Sequence, residues 1–197
     1  MVCSKFIPKK KELHSLMLQF IYSCPLHMVS IAMAIVIAIW GYARTKLYGK
    51  RWNIANALLA CGMVMAIFFI TIMGRTTGER TLILKPFASL AAARTQSEAY
   101  RELLMNIFLF FPFGLTLSNA LPQSWGRWRR IGLTVITGLL LSAGIEYIQY
   151  RFALGVAETD DVICNTLGTF IGSISLLIAH GIKKYKEKAI KHDSNKN

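Results

Sequence analysis

The polar side chains that could carry chemistry lie near the ends of long apolar segments. Ser142, Glu146 and Gln149 are spaced by four and then three residues, which places them on one stripe of a helix. An ionisable side chain inside an apolar segment usually faces a bundle interior and marks a functional site, because contact with lipid is costly. Glu146 is therefore the first candidate. The alternative is that it pairs with Arg75 or Arg101 and only holds helices together.

A second polar group precedes the last apolar segment. It contains Asp160, Asp161 and Asn165, and the last two share one helix face with Gly168 and Gly172. The Gly168-x-x-x-Gly172 pair permits close approach of a neighbouring helix, which would hold the polar pair against that neighbour. The alternative for the two aspartates is a capping role only, since carboxylates are favourable at a helix N-terminus.

A third apolar segment contributes an amide and a proline. Asn106 stands one turn into this segment, and Pro112 should interrupt the helix six residues later. A carbonyl group freed at Pro112 can line a cavity, so Pro112 and Gly114 could shape a pocket there. A kink that serves only packing is the alternative.

These residues are positioned by five segments that are long enough to cross a membrane. The chain has 197 residues, of which 54% are hydrophobic and 17% charged. A spanning helix needs about 20 apolar residues, and backbone groups in hydrocarbon must be satisfied within their own segment. We therefore predict an all-α, polytopic membrane helical bundle with about five transmembrane helices. The predicted spans are 16–40, 54–73, 103–121, 131–150 and 162–182.

The bundle is predicted to occupy residues 16–182, between a basic N-terminal segment (1–15) and a basic C-terminal tail (183–197). Three lysines, Lys9, Lys10 and Lys11, precede the first span and resemble the start of a signal peptide. The apolar run is too long for a signal peptide, and no convincing cleavage site follows it. We therefore expect the first span to be retained as a helix.

Alternation of the spans brings four helix ends to one membrane face: the end of the second, the start of the third, the end of the fourth and the start of the fifth. Gly138-x-x-x-Ser142 gives the fourth helix a small surface, which predicts packing against the fifth. The polar side chains at these four ends are predicted to form one ligand-binding or functional cluster. Its members are Arg75, Asn106, Glu146, Gln149, Asp160, Asp161 and Asn165.

The connection 74–102 is too long for a simple turn, and loops of this size are usually functional or disordered. Leu82, Pro86 and Phe87 give it an apolar side. We predict an interfacial or partly re-entrant segment, with plain attachment to the membrane surface as the alternative. Thr95-x-x-Glu98 has the pattern of a capping box, which would start the third helix before it enters the membrane.

The net charge of +13 comes from basic residues at segment ends and in the tails, which disfavours nucleic-acid binding and indicates contact with anionic lipid headgroups. The positive-inside rule places the basic connections 44–51 and 127–130 and the basic C-terminal tail in the cytoplasm, and the acidic connection that holds Glu158, Asp160 and Asp161 should face outward. Five spans then put the N-terminus outside and the C-terminus in the cytoplasm. The basic N-terminal segment then lies on the disfavoured side. Cysteine and histidine residues lack metal-ligand spacing, so we expect neither a metal nor a cofactor.

The polar motifs together resemble the VanZ-like family of bacterial membrane proteins, over about residues 70–180. An arginine that is common in the family before the two aspartates is missing, since Ala157-Glu158-Thr159 stands there. This departure argues against an arginine–aspartate pair at that point. The motifs that carry the resemblance are Arg75, Pro86-Phe87, Arg101-x4-Asn106-Ile-Phe-Leu-Phe-Phe-Pro-Phe-Gly, Ser142-x3-Glu146-x2-Gln149 and Asp160-Asp161-x3-Asn165-Thr-Leu-Gly168.

The resemblance implies a multi-pass protein of the bacterial plasma membrane, in a family named after a member linked to teicoplanin resistance. The leading hypothesis is that the chain lowers susceptibility to lipoglycopeptide antibiotics. It would do so by binding or excluding the drug, or by remodelling a lipid-linked envelope component at the outer membrane face.

Two other classes of function remain open. A membrane enzyme for a lipid-linked or headgroup substrate would use Glu146 or Asp161 as acid or base, with Arg75 or Arg101 holding phosphate. The absence of a nucleophile with a recognisable base disfavours this alternative. A transporter is disfavoured because few polar residues continue through the bilayer, unless the chain forms a homo-oligomer.

Overall fold

The computed structural model describes residues 26–47, 49–73, 75, 77–93 and 95–194. The predicted basic N-terminal segment and the start of the first predicted span lie outside these residues. Seven helices and two short strands follow one another along the described chain. They are α1 (Leu26–Lys46), α2 (Lys50–Thr71), β1 (Thr81–Ile83), α3 (Ala88–Ala92), α4 (Ser97–Ala120), α5 (Arg127–Phe152), β2 (Val156–Glu158), α6 (Thr159–Ser173) and α7 (Ser175–Ser194).

Four helices within the described part of the chain are long and apolar enough to cross a membrane. They are α2, α4, α5 and a joined helix that runs through α6 into α7, over Thr159–Ile190. These correspond to the second to fifth predicted spans, and they confirm the predicted helical membrane bundle. The described half of the first predicted span falls in α1.

Helix α4 occupies the centre of the bundle, packed against α6 on one side and α2 on another. A buried apolar cluster of Ile67, Phe110, Phe113 and Ile145 joins α2, α4 and α5. Large apolar side chains on the outer faces remain exposed, among them Leu140 at 66%. This distribution suits a bundle whose surroundings are lipid, because lipid-facing side chains gain nothing from moving inward.

Glycines set the distance between α4 and α6. A side chain at Gly168 would overlap the backbone of Ile107, and one at Gly114 would overlap the backbone of Thr169. The Gly168–Gly172 face therefore meets the third span, whereas the sequence suggested the fourth. Helix α5 does pack against α6, but through Gly138, where an added Cβ would overlap the Thr169 side chain. Small residues on both helices permit this close approach.

The expected interruption at Pro112 is not seen, since α4 continues through this residue to Ala120. The Pro112 carbonyl accepts a hydrogen bond from the Thr116 hydroxyl over 2.8 Å. Because proline has no backbone N–H, the carbonyl that loses its helical partner is that of Phe108, one turn earlier, and neighbouring helices can satisfy such a group. Pro112 and Gly114 thus belong to a continuous, closely packed helix and not to a broken one.

The connection between α2 and α4 is built against the start of α6. Strand β1 pairs in parallel with β2, with Leu82 opposite Ala157. Ala157 is buried, whereas β1 is exposed along its length. Strands of three residues carry too little pattern to be found in a sequence, and this pairing was not predicted.

The predicted capping box at the start of α4 is wrong. Helix α4 does begin before the apolar segment, at Ser97, but its N-cap is Gln96 and makes no side-chain cap bond. The Thr95 hydroxyl donates instead to the Ala92 carbonyl over 3.2 Å. Thr95 therefore ends the short helix α3 and does not start α4.

Candidate functional site

Asp161 and Asn106 meet between α6 and α4. The Asn106 side-chain amide donates to Oδ1 of Asp161 over 2.6 Å. Both side chains are half-buried. The close backbone approach of α4 and α6 below them, permitted by Gly168 and Gly114, places the two polar groups within reach. An amide donor of this kind favours the ionised carboxylate, since a charged acceptor forms the stronger hydrogen bond.

Glu146 connects the end of α5 to strand β2. Its side chain is 9% exposed, and Oε2 accepts the backbone N–H of Glu158 over 3.0 Å. Glu158 in turn accepts the Ser89 hydroxyl at its own Oε2 over 2.9 Å. The Glu146 carboxylate, which lies in an apolar segment, is therefore held by a backbone N–H group. Glu158, in the stretch where an arginine is common in the family, holds α3.

Asp160 holds the segment that contains the Pro86-Phe87 pair. Its Oδ1 accepts the backbone N–H of Phe87 over 2.6 Å, and its Oδ2 accepts that of Ser89 over 2.7 Å. Phe87 adopts the left-handed conformation with φ of 62°, which turns both N–H groups toward the carboxylate. Asp160 thus caps α3, whereas the capping alternative raised by the sequence concerned its own helix.

Gln149 and Asn165 lie deeper and are almost completely buried. Gln149 donates to the Thr71 carbonyl at the end of α2 over 3.1 Å, and Asn165 donates to the Ser142 hydroxyl over 2.9 Å. The amide oxygens of both side chains have no hydrogen-bond partner among the described residues. Buried polar atoms usually find a partner, so these two oxygens can accept a bond from water or a neighbouring donor.

Arg75 approaches this group from the exposed side. Its Nη1 donates to the Leu154 carbonyl over 3.4 Å, and Gly155 makes room for it because a Cβ there would overlap the guanidinium. Gly155 has a φ of 133°, a conformation that only glycine adopts readily. The Arg75 charge interacts favourably with Glu146 and Asp161, and it offsets part of the repulsion between these two carboxylates.

The structure therefore brings the seven predicted residues to one end of the bundle, in two layers of different burial. In the buried layer Asp160, Glu146 and Gln149 bind backbone groups of the surrounding segments, and Asn165 binds the Ser142 hydroxyl. Arg75, Asn106 and Asp161 form the more accessible layer. We call the seven residues together the carboxylate cluster. Within the described residues no group of three or more His, Cys, Asp or Glu side chains has a geometry suited to a metal ion.

The opposite end of the bundle holds a group of residues that the sequence interpretation assigned only to topology. Arg130 is 4% exposed, and Arg44 from α1 lies near it and donates to Oδ1 of Asn119 over 3.0 Å. Helical periodicity alone does not place Arg130 on the face of Glu146. Steps of four residues back from Glu146 give the buried positions Ser142, Gly138, Thr134 and Arg130, but this row winds around the helix because four residues exceed one turn.

Small polar side chains also connect the two ends, contrary to the expectation that few would continue through the bilayer. Thr134 on α5 is buried between them, as are Thr169 and Ser173 on α6. Thr169 and Ser173 donate to carbonyl groups of their own helix, which satisfies hydroxyl groups in an apolar setting. The buried seam between α5 and α6 is thus more polar than the outer faces of these helices.

Comparisons with known proteins show the family of the chain. A curated relative, Protein VanZ from Enterococcus faecium, is 36% identical over 94 residues, which cover 48% of this chain and 51% of the relative. The match thus spans about half the length of that protein. No solved structure matches the chain. The family model for VanZ/LLP1 matches residues 55–180, which is more than half of the chain and includes every member of the carboxylate cluster. The chain belongs to the VanZ/LLP1 family.

Proposed function

We propose that this chain is a bacterial plasma-membrane protein that lowers susceptibility to teicoplanin and related lipoglycopeptides, and that the carboxylate cluster is where it acts. Membership of the VanZ/LLP1 family and the likeness to Protein VanZ support the proposal. In the orientation that the positive-inside rule favours, the N-terminus lies outside and the C-terminus in the cytoplasm. The carboxylate cluster then faces the outside of the cell, where such a drug arrives.

One observation carries this proposal: polar and apolar groups meet at the same end of the bundle. Arg75, Asn106 and Asp161 offer charge and hydrogen bonds at a partly accessible position. The adjoining connection exposes large apolar side chains, with Leu84 at 70% and Phe87 at 58%. A lipoglycopeptide, like a lipid-linked envelope component, joins a polar body to an apolar chain, so both parts of such a ligand have a counterpart here.

A second candidate function is a membrane enzyme that acts on a lipid-linked or headgroup substrate. The charge repulsion between the Glu146 and Asp161 carboxylates, which the nearby Arg75 charge partly offsets, favours this candidate. Two neighbouring carboxylates can divide the roles of acid and base, and an arginine can hold a phosphate group. Under this alternative the chain would change an envelope component chemically, whereas in the first proposal it would bind or exclude the drug.

The test is to express the chain in a susceptible bacterium and to measure the inhibitory concentration of teicoplanin. Wild type should raise this concentration several-fold, and Asp161→Asn should abolish most of the gain because it removes the charge at the accessible layer. Glu79→Gln is the matched control, since Glu79 is an exposed carboxylate in the connection between α2 and α4 and outside the carboxylate cluster. Membrane levels of all three proteins are compared by quantitative blotting.

The outcomes separate the two candidates. An unchanged inhibitory concentration with wild type, at equal membrane levels, contradicts the resistance proposal. For the enzyme, purified wild type and Asp161→Asn are incubated with envelope lipid extracts and analysed by mass spectrometry. A product formed only by wild type supports the enzyme, whereas identical spectra contradict it and leave drug binding or exclusion.

A further inference from the structure

A cavity of about 680 Å³ lies at the end of the bundle opposite the carboxylate cluster. The end of α1, the connection before α5, the first turn of α5 and the outer part of α7 surround it. Cationic side chains dominate its wall, with Trp125 and Ile190 among the apolar contributors. The cationic and potentially cationic residues are Arg44, Arg127, Arg130, His180, Lys183 and Lys186. We call this space the arginine cavity.

Arg130 is the buried anchor of the arginine cavity. Its side chain is 4% exposed, and Nη2 donates to the Ser118 carbonyl in a short contact. Its Nε is buried and has no hydrogen-bond partner among the described residues. A buried guanidinium normally satisfies all of its donors and finds a compensating negative charge, because removing it from water is costly. Here one donor and the charge both remain available.

Arg44 adds a second guanidinium, with no carboxylate partner among the described residues. It donates to Oδ1 of Asn119 over 3.0 Å and to the Asn119 carbonyl over 3.4 Å, and both acceptors are neutral. The two guanidinium groups lie close enough for Arg44 to act on Arg130 by charge repulsion. Among the residues that line the cavity, Glu187 is the one carboxylate, and it is exposed. The cationic side chains that line the cavity therefore outnumber its carboxylates, and the wall carries a net positive charge.

The outer wall supplies further cations that are free to turn inward. Lys183 and Lys186 lie on α7 and are exposed, with Lys186 also 5.8 Å from the centre of the Tyr42 ring. Arg127 lies 3.1 Å from Nε2 of His180, and because a guanidinium can only donate, the ring nitrogen accepts this hydrogen bond. Planar guanidinium groups with additional lysines are the combination that binds phosphate oxygens most effectively.

We infer that the arginine cavity binds a phosphate group, carried either by an anionic phospholipid of the adjacent leaflet or by a soluble organic phosphate. The buried Arg130 and the half-buried Arg44 hold the phosphate oxygens, while Lys183 and Lys186 close over the outer side. Basic pockets between spanning helices favour anionic headgroups on the cytoplasmic side, which is the side assigned to this end above. This site is separate from the carboxylate cluster and does not rest on the proposed function.

The test uses the full chain in neutral detergent and measures ligand affinity by calorimetric titration. The probes are dioctanoyl phosphatidylglycerol, dioctanoyl phosphatidylcholine, glycerol phosphate and inorganic phosphate. We expect phosphatidylglycerol to bind more tightly than phosphatidylcholine. The variant Lys183→Gln/Lys186→Gln should weaken this binding about 10- to 30-fold, since each lysine near a phosphate contributes about 1 kcal/mol.

The matched control is Lys184→Gln/Lys188→Gln. It removes the same charge from the same helix, at exposed positions that do not line the cavity, and it should change the affinity less than about twofold. Glycerol phosphate that competes with the lipid identifies the phosphate itself as the ligand, whereas binding of the lipid alone identifies a membrane source; both support the proposal. Equal losses in the two double variants, equal binding of the two lipids, or no binding of any probe would overturn it.

Discussion

At one end of the bundle carboxylates accept hydrogen bonds from the protein's own backbone, whereas at the other end the guanidinium groups of Arg44 and Arg130 donate to neutral oxygens. Asp160 is typical of the first end, since both of its oxygens hold N–H groups of another segment. Arg130 is typical of the second, with a carbonyl as its acceptor and Nε unpartnered among the described residues. Buried charges of the first kind organise the fold, while those of the second kind are the ones that we infer to bind phosphate.

The largest effect is expected where both ends depend on the same contact, between α4 and α6. Gly168→Val places a branched side chain against the Ile107 backbone, where no room exists even for a Cβ. Overpacking of side chains alone costs about 1–3 kcal/mol, and a backbone clash costs more, so little folded protein should be recovered. Size-exclusion chromatography in detergent measures the folded fraction.

Gly144→Val serves as the control for this substitution. Gly144 lies on α5 near Glu146, but its surface position leaves a Cβ without neighbours within 4 Å. This variant should elute like wild type. Normal folding of Gly168→Val would show that the two ends of the bundle do not depend on the close packing of α4 against α6.

A smaller, local effect is expected from Asp160→Ala. The substitution removes the acceptors of Phe87 and Ser89, and each lost hydrogen bond to a charged group costs about 1.5–3 kcal/mol. The connection before α4 should detach while the helices stay packed. Limited trypsin digestion after Arg80 should therefore become faster, with a modest drop in the thermal unfolding temperature; Lys85 precedes Pro86 and is not a trypsin site.

Asp160→Asn gives the intermediate case, since an amide keeps one acceptor oxygen and loses the charge. Its cleavage rate should fall between those of wild type and Asp160→Ala. An unchanged cleavage rate for the alanine variant would contradict the role of Asp160 in holding α3 and would remove the contrast between the two ends.

The sequence was sufficient for the spanning helices and for the residues of the carboxylate cluster, because hydropathy and alternation constrain both. Segments of about 20 apolar residues are hard to mistake, and alternating spans bring Asn106 and Asp161 to the same face. The partners of each carboxylate were beyond sequence reasoning. Whether Asp160 caps its own helix or α3 depends on the path of a connection whose strands have three residues each.

The arginine cavity was missed for a different reason. Basic residues at membrane boundaries usually mark topology, so the Arg127–Arg130 turn was interpreted by position and not by helix face. Arg130 ends a row of buried positions that runs through Thr134, Gly138 and Ser142 to Glu146, but this row winds around α5, so helical periodicity does not reveal it. The burial of Arg130, and its Nε without a partner among the described residues, follow only from the packing of α5.

The smallest effect on stability is expected from Arg130→Met, and it is the sharpest test of the contrast between the ends. The substitution removes a buried charge that has no carboxylate partner among the described residues, and it loses the hydrogen bond to the Ser118 carbonyl. The gain and the loss are of similar size, so the free energy of unfolding should change by less than about 1 kcal/mol.

Glu146→Met, the same change at the other end, leaves the Glu158 N–H without its acceptor and should lower the free energy of unfolding more. Thermal unfolding in detergent compares the two, with and without phosphatidylglycerol, which should stabilise wild type more than Arg130→Met. If Arg130→Met were the more destabilising of the two without lipid, Arg130 would serve to stabilise the fold, and the two ends would differ only in the sign of their charges.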